Sequence, residues 1–107
     1  MIYHITTSGW WNKHSLLNEY ASETLHQEGF IHCSTRDQVE GVLKRYYANQ
    51  NDLLLLHIDP ILLRAEVKFE VASIGQSFPH VYGKINRDAI VRVECIDASR
   101  HLWLDQQ

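Results

Sequence analysis

The run Leu53-Leu54-Leu55-Leu56-His57-Ile58 constrains the fold of this chain more than any other segment. Consecutive residues of a β-strand project to opposite faces of a sheet, so a strand with this sequence is apolar on both faces. Strands of that kind are typical of the middle of a sheet that is covered on both sides. Asp59-Pro60 then ends the segment, because proline lacks a backbone donor and restricts the residue before it. We predict a central strand over residues 53–58.

The first half of the chain predicts short strands alternating with helices. Ser8 has the character of a helix cap, and Gly29 that of a helix end. Thr35 and Gln38 have the spacing of a capping box. The predicted elements are a strand at 1–6, a helix after Ser8 that carries Trp10, Trp11, Leu16 and Leu17, a helical turn at 23–28, a strand at 30–33, and an amphipathic helix with Val39, Val42, Leu43 and Tyr46 on one face.

The second half predicts strands that follow one another. In the strand 66–71, Val67, Phe69 and Val71 alternate with charged residues and are expected to face the core. We interpret residues 72–86 as a loop marked by Pro79-His80 and Gly83, and residues 89–96 as the last strand. The tail with Leu102, Trp103 and Leu104 is expected to pack on the body. This order predicts an α+β fold with a mixed or antiparallel sheet.

Length and charge limit the functions open to the chain. Its 107 residues predict a single domain over 1–107. A net charge of −3 and a pI near 6.1 argue against duplex nucleic acid as a partner. The longest apolar run is too short to span a membrane, nothing resembles a signal peptide, and the two cysteines form no disulfide framework. We therefore expect a cytoplasmic protein with no membrane partner; its oligomeric state stays open.

Polar residues at the ends of the predicted strands indicate a candidate site. In Glu28–Thr35, His32 and Ser34 project to one side of a strand that follows a turn glycine. The other candidates are His4 and Thr6 on one face of the first strand, Glu70 on the polar face of a later strand, and His80, Tyr82 and Lys84 in or beside the Pro/Gly loop. We expect these groups to converge on a cleft. No HxxxH or CxxC spacing is present, so no metal site is predicted.

Five segments taken in order resemble a known family. IYHIT, EGFIHCST, LLLLHID, EVKFE and FPHVYG are similar to the motifs of the family called domain of unknown function 952. More distantly, IYHIT resembles the LYHGT-type start of the ADP-ribosyltransferase superfamily. FIHCST, followed by an amphipathic helix, is similar to the HVHLS segment of the RNA 2′-phosphotransferase branch of that superfamily, and LLLLHID to the strand that follows.

The distant resemblance implies a fold and a ligand. The fold is an ADP-ribosyltransferase-like split, mostly antiparallel sheet whose central cleft holds NAD or an ADP-ribosylated intermediate. His4 would contact the nicotinamide-side ribose, His32 and Ser34 would form the second motif, and Glu70 or His80 the third. On this reading His4, His32 and Glu70 are catalytic, and Thr6, Ser34, His80 and Tyr82 bind a nucleotide such as NAD. A carboxylate beside the ribose would stabilise an oxocarbenium-like transition state.

Two other functions stay open. His4-Ile5-Thr6 and His32-Cys33-Ser34 are both H-x-[ST], the pattern with which two-histidine phosphoesterases act as base and acid on a cyclic phosphate. No arginine precedes either histidine, and Ile5 stands where the superfamily motif has glycine. These departures favour a non-catalytic nucleotide-binding or regulatory module, so the sequence leaves open whether the protein is an enzyme.

Overall fold

The structure, a computed structural model, describes residues 1–72 and 74–96; the predicted packing of the tail with Trp103 lies outside them. No helix in these residues is long and apolar enough to cross a membrane. The strands are β1 (Ile2–Thr7), β2 (Glu19–Tyr20), β3 (Ile31–His32), β4 (Leu53–Ile58), β5 (Glu66–Val71), β6 (Ser77–Tyr82), β7 (Ile85–Asn86) and β8 (Ile90–Ile96). The helices are α1 (Ser8–Asn12), α2 (Leu25–Glu28) and α3 (Val39–Tyr46).

Two three-stranded sheets form the body of the protein. One has the order β1-β4-β8 and the other β3-β6-β5, while β2 and β7 form a separate pair. Every strand pair is antiparallel. Within the described part of the chain, the two larger sheets meet at one bridge, in which Tyr3 and Ser34 exchange both backbone hydrogen bonds. The α+β class predicted from the sequence is confirmed, with antiparallel sheets throughout the described residues.

The central position predicted for the leucine run is confirmed, because β4 lies between β1 and β8. Its side chains supply two separate cores. Leu54 and Leu56 belong to the first core, with Trp11, Tyr20, Ile31 and Val81. Leu53 and Leu55 belong to the second core, with Tyr3, Val39, Val42, Leu43 and Phe78. The two faces of one strand therefore hold the sheet to different layers of the protein.

The amphipathic helix begins as predicted, and its buried apolar residues end before its last turn. Thr35 and Gln38 form the capping box, a short 3-10 turn follows, and α3 runs from Val39. Val42 and Leu43 are buried in the second core. Tyr46 lies on the same face as predicted, seven residues after Val39, but it is 62% exposed. It lies in the last turn of α3, where its ring borders a cavity.

The helix after Ser8 is shorter than predicted. Its cap is Thr7, whose side-chain oxygen accepts the backbone N–H of Trp10. The helix ends at Asn12, and the chain continues in turns, so Leu16 lies outside it and is 95% exposed. The prediction of one helix carrying both tryptophans and both leucines is therefore wrong, because the chain leaves the helical path before the leucines.

The prediction of a loop over residues 72–86 is also wrong, because β6 and β7 lie within it. Pro79 sits in the middle of β6, which normally argues against a strand. Its carbonyl accepts the N–H of Cys33, on the β3 side of β6. The N and C=O of one strand residue point to the same side, so the donor that Pro79 lacks is not needed by β5. The proline is tolerated because the two-residue β3 ends beside it.

The core face predicted for β5 is only partly present. Val67 is half-buried against the first core, whereas Phe69 is 59% and Val71 72% exposed. β5 is an edge strand of its sheet, and of these three residues Val67 is the one that packs against the first core. The alternating pattern identified the strand correctly, but a strand at an edge need not have a covered apolar face.

Candidate functional site

The β3–β6 pair places two histidines and a phenylalanine on one face. Gly29 ends α2 with a φ of 82°, a left-handed conformation that suits glycine, and turns the chain into β3. His80 lies directly opposite His32 in the ladder, so their side chains share a face. Their ring centroids are 5.5 Å apart, and Phe30 stacks on His80 with centroids 4.0 Å apart and planes 13° from parallel.

A carboxylate and a phenol fix the orientation of His80. His80 Nδ1 lies 2.7 Å from Glu70 Oε1, and Tyr82 donates its hydroxyl to the same oxygen over 2.5 Å. An ionised carboxylate only accepts hydrogen bonds, so Nδ1 of His80 carries the proton. Chemistry on a ligand therefore falls to the other nitrogen, Nε2. This carboxylate–imidazole arrangement is how proteins commonly hold a histidine that binds or transfers protons.

The same hydrogen bonds shift the pKa values of Glu70 and Tyr82. Tyr82, followed by His80, lowers the pKa of Glu70 below its usual value. The hydrogen bond to Glu70 in turn raises the pKa of Tyr82. Lys68 lies on the same face, with its ammonium 4.8 Å from the centre of the Tyr82 ring. Glu70 is thus ionised at neutral pH and able to stabilise positive charge on its histidine partner.

Replacing Tyr82 with phenylalanine is expected to raise the pKa of Glu70 towards the usual value. Tyr82 is the largest cause of the lowered pKa, and the ring that Lys68 covers is kept in the variant. NMR titration of the side-chain carboxyl carbon of Glu70 measures the change. Tyr46→Phe is the matched control and is expected to leave this pKa where it is. An unchanged pKa in Tyr82→Phe would show that the phenol does not stabilise the carboxylate.

His32, on the same face, is partly buried. Its ring packs 5.0 Å from that of Phe78, and burial, followed by the field of His80, lowers its pKa. Nε2 of His32 is buried without a hydrogen-bond partner among the described residues. A buried polar atom in that situation costs about 1–3 kcal/mol. Glu28 and Arg45 also act on its charge, the first raising and the second lowering its pKa.

A cavity of about 570 Å³ lies between this face and the end of α3. Known small-molecule sites occupy about 300–1,000 Å³ and combine apolar walls with a few polar groups. The cavity has both kinds of wall. Its lining consists of Thr24, Glu28, Phe30, His32, Val42, Tyr46, Tyr47, Ala72 and His80.

His4 does not line this cavity but borders the two smaller recesses next to it, with both ring nitrogens engaged in the interior. Nδ1 is 2.7 Å from the carbonyl oxygen of His32, and Nε2 is 2.9 Å from the hydroxyl of Tyr20. The carbonyl can only accept, so Nδ1 donates, and Nε2 accepts the Tyr20 hydroxyl proton. Burial lowers the pKa of His4 to about 4. His4 therefore ties β1 to β3 and β2 as a neutral imidazole and meets His32 through its backbone.

Thr6 and Ser34 border two smaller recesses. The Thr6 hydroxyl hydrogen-bonds to Tyr20, and Thr6 lines a recess of about 120 Å³. Ser34, which is buried at the bridge to Tyr3, lines another of about 90 Å³. Both volumes fall below the usual size of a ligand site. The smaller recess shares four lining residues with the large cavity, namely Thr24, His32, Val42 and Tyr47.

The face shared by β3 and β6, with Glu70, brings together four of the seven predicted site residues, namely His32, Glu70, His80 and Tyr82. The recess of about 90 Å³ also brings His4 and Ser34 to His32. His4 and Thr6 lie on the first-core face of β1, with Tyr20. The sequence analysis missed Phe30, Tyr46 and Tyr47 as cavity residues. The signal for Phe30 was its position two residues before His32, on the same face of an extended chain.

The expected lack of a metal site and the roles of these residues stay predictions. In residues 1–72 and 74–96, no three histidine, cysteine or acidic side chains lie close enough to hold a metal ion. The catalytic and ligand-binding roles of the seven residues are predictions about activity and binding.

The chain is an α+β protein with a histidine-lined cavity between an antiparallel sheet and a helix. It belongs to the family described as protein of unknown function (DUF952), which matches residues 5–93. Similar solved structures are those of protein CC0527 from Caulobacter crescentus. The crystal structure is 26% identical, with a TM-score of 0.81, over 90% of this chain and 85% of that one. The solution NMR structure is also 26% identical, with a TM-score of 0.77, over 96% and 97%. Comparison with the curated proteins gives no match.

Proposed function

We propose that the protein binds NAD or a related adenine nucleotide in the cavity beside His32 and His80. The observation that carries the proposal is the cavity itself, whose volume of about 570 Å³ suits a ligand of this kind. The resemblance to ADP-ribosyltransferases favours the same ligand class. The family match gives the family of the chain, and the ligand class is our proposal.

The walls of the cavity support a ligand with a flat base and a polar sugar-phosphate part. Phe30, Tyr46 and Tyr47 line the cavity with aromatic rings. A base can stack on such a ring whatever hydrogen-bonding groups the base carries. His80, oriented by Glu70, offers Nε2 to a hydroxyl or phosphate oxygen. Arg45 adds a positive charge close enough to lower the pKa of His32, and a guanidinium suits phosphate.

A second candidate function is hydrolysis of a cyclic phosphate, and one observation favours it. His32 and His80 share a face with ring centroids 5.5 Å apart, which suits an acid–base pair on one phosphate. One imidazole would accept a proton from water as the new P–O bond forms. The other, His80, would donate a proton to the ribose oxygen as the old P–O bond breaks. Glu70 would stabilise the charged form of His80. This pair differs from the His4–His32 pair expected from the H-x-[ST] motifs.

Calorimetric titration with NAD, ADP-ribose and 2′,3′-cyclic AMP tests both functions. We expect saturable binding of NAD or ADP-ribose, and a loss of about tenfold in affinity in His80→Gln, the scale of one strong hydrogen bond. His26→Gln on α2 is the matched control, because His26 is exposed and does not line the cavity. The absence of saturable binding of both NAD and ADP-ribose would refute the proposal.

Product analysis in the same samples separates binding from catalysis. Conversion of the cyclic phosphate that is lost in both His32→Gln and His80→Gln would favour the phosphoesterase. Release of nicotinamide from NAD would favour an ADP-ribosyltransferase-like activity. Binding without any product would favour the non-catalytic module.

A further inference from the structure

The outer edge of β5 has the composition of a surface that pairs with another strand. Within the described residues β5 is hydrogen-bonded on one side only, to β6. Phe69 and Val71 are 59% and 72% exposed on one face. Lys68 and Glu70 project from the other face with opposite charges. A free strand edge that carries exposed apolar side chains is a template for strand addition unless something covers it.

The hydrogen-bond pattern shows which backbone groups of β5 point outward. Phe69 is paired with Pro79, whose carbonyl points away from β5 towards Cys33. Phe69 and Pro79 therefore form a non-hydrogen-bonded pair of the β5–β6 ladder. The N–H and C=O of Phe69 consequently point to the free edge. Because the pattern alternates, those of Val67 and Val71 do the same.

A second copy of β5 matches this edge in one antiparallel register. With Phe69 opposite Phe69, the outward-pointing groups of the two residues face each other and exchange two hydrogen bonds. Val67 of each copy then lies opposite Val71 of the other copy, and Lys68 of each copy lies opposite Glu70 of the other copy. Cross-strand pairs of like hydrophobicity and opposite charge are stabilising. All five residues from Val67 to Val71 are used, and all lie within β5.

Neighbouring registers are less suitable. With Lys68 opposite Lys68, the two lysines repel, and Glu66 lies opposite Glu70. With Val67 opposite Val67, Phe69 faces Ala65, which precedes β5, so only three residues of each strand pair. A shift by one residue sets charged side chains against apolar ones.

We propose that the protein forms a two-fold symmetric dimer through β5, with Phe69 opposite Phe69, so that two three-stranded sheets become one of six strands. The dimer also places Lys68 of the second copy opposite Glu70, on the face that carries His80. The inference rests on the edge of β5 and is independent of the nucleotide proposal, because association is measured without any ligand.

Sedimentation velocity of the full chain over a range of concentrations tests the dimer. We expect a monomer–dimer equilibrium that is weakened about tenfold in Lys68→Glu, because two attractive pairs become repulsive. The double variant Lys68→Glu/Glu70→Lys restores opposite charges in this register and is expected to regain association. In the register with Val67 opposite Val67, the same double variant would instead place Glu66 opposite the glutamate introduced at position 68.

Two further variants test the dimer interface through its apolar side chains instead of its charges. Val71→Asp on β5 is expected to abolish association, whereas Val91→Asp on β8 leaves it intact. Val91 is the matched control because it is an exposed valine, at 50%, on the edge strand of the other sheet. Thermal unfolding confirms that each variant is folded. A chain that stays monomeric at millimolar concentration overturns the proposal, and so does a dimer that Val91→Asp dissociates and Val71→Asp does not.

Discussion

Acidification from pH 6.5 to pH 4 is expected to reduce the free energy of unfolding by about 3 kcal/mol through His4 alone. Burial lowers the pKa of His4 from 6.5, its usual value, to about 4. Between these two values the unfolded chain binds a proton at His4 that the folded chain does not. Stability therefore falls as the pH falls, by up to about 1.4 kcal/mol per pH unit between these two values, and the loss is complete only below pH 4. Above pH 6.5 both states are neutral at this residue and the effect vanishes.

Urea unfolding at a series of pH values measures this dependence. His4→Asn removes the titrating ring and keeps a donor in reach of the His32 carbonyl, so the slope in this range is expected to be shallower. It does not vanish, because the pKa of His32 is lowered too and acts in the same direction. His26→Gln, which replaces an exposed histidine, is expected to keep the wild-type slope. An equal slope in His4→Asn and in the wild type would contradict the neutral, buried state of His4.

Truncation of either face of β4 is expected to destabilise the protein by about 2–5 kcal/mol. Leu55→Ala and Leu56→Ala each remove a fully buried side chain, the first from the second core and the second from the first core. Each leaves a cavity that the surrounding strands cannot close. Leu16→Ala is the matched control: at 95% exposure, its loss is expected to change stability by less than about 0.5 kcal/mol.

Chemical unfolding of these variants measures the three free energies. If only one of the β4 variants were strongly destabilised, β4 would have a single covered face, and the two-core description of the fold would be incorrect. The double variant is expected to lose roughly the sum of the two single losses, because the side chains project to opposite faces and share no packing partners among the described core residues.

Local chemistry made parts of the fold predictable. The leucine run, the capping box at Thr35 and the glycine at 29 each specify a structure through neighbouring residues, and all three were predicted correctly. β6 was missed because proline in a strand is tolerated only where its missing donor faces no partner. That condition depends on where β3 ends, 47 residues from Pro79.

The candidate site was predictable to the extent that its residues share strand faces. The alternation of β5 put Glu70 on the polar face, and the His32 motif was correctly placed on a strand. The register that sets His80 opposite His32 is a tertiary property, and it determines which histidines meet. His4 carries the same H-x-[ST] pattern as His32, yet β1 turns it towards Tyr20. Motif similarity therefore could not tell a cavity histidine from an interior one.

The most direct test of the proposed nucleotide site is an NMR titration of the isotopically labelled protein with ADP-ribose, followed at the imidazole signals. We expect saturable shifts at His80 and His32, which line the cavity, and much smaller shifts at His26. His4, whose two ring nitrogens are already hydrogen-bonded, is expected to shift less than His80. If none of the imidazole signals moves at saturating ligand, or if the shifts cluster at His26, the cavity beside His32 and His80 is not a nucleotide site.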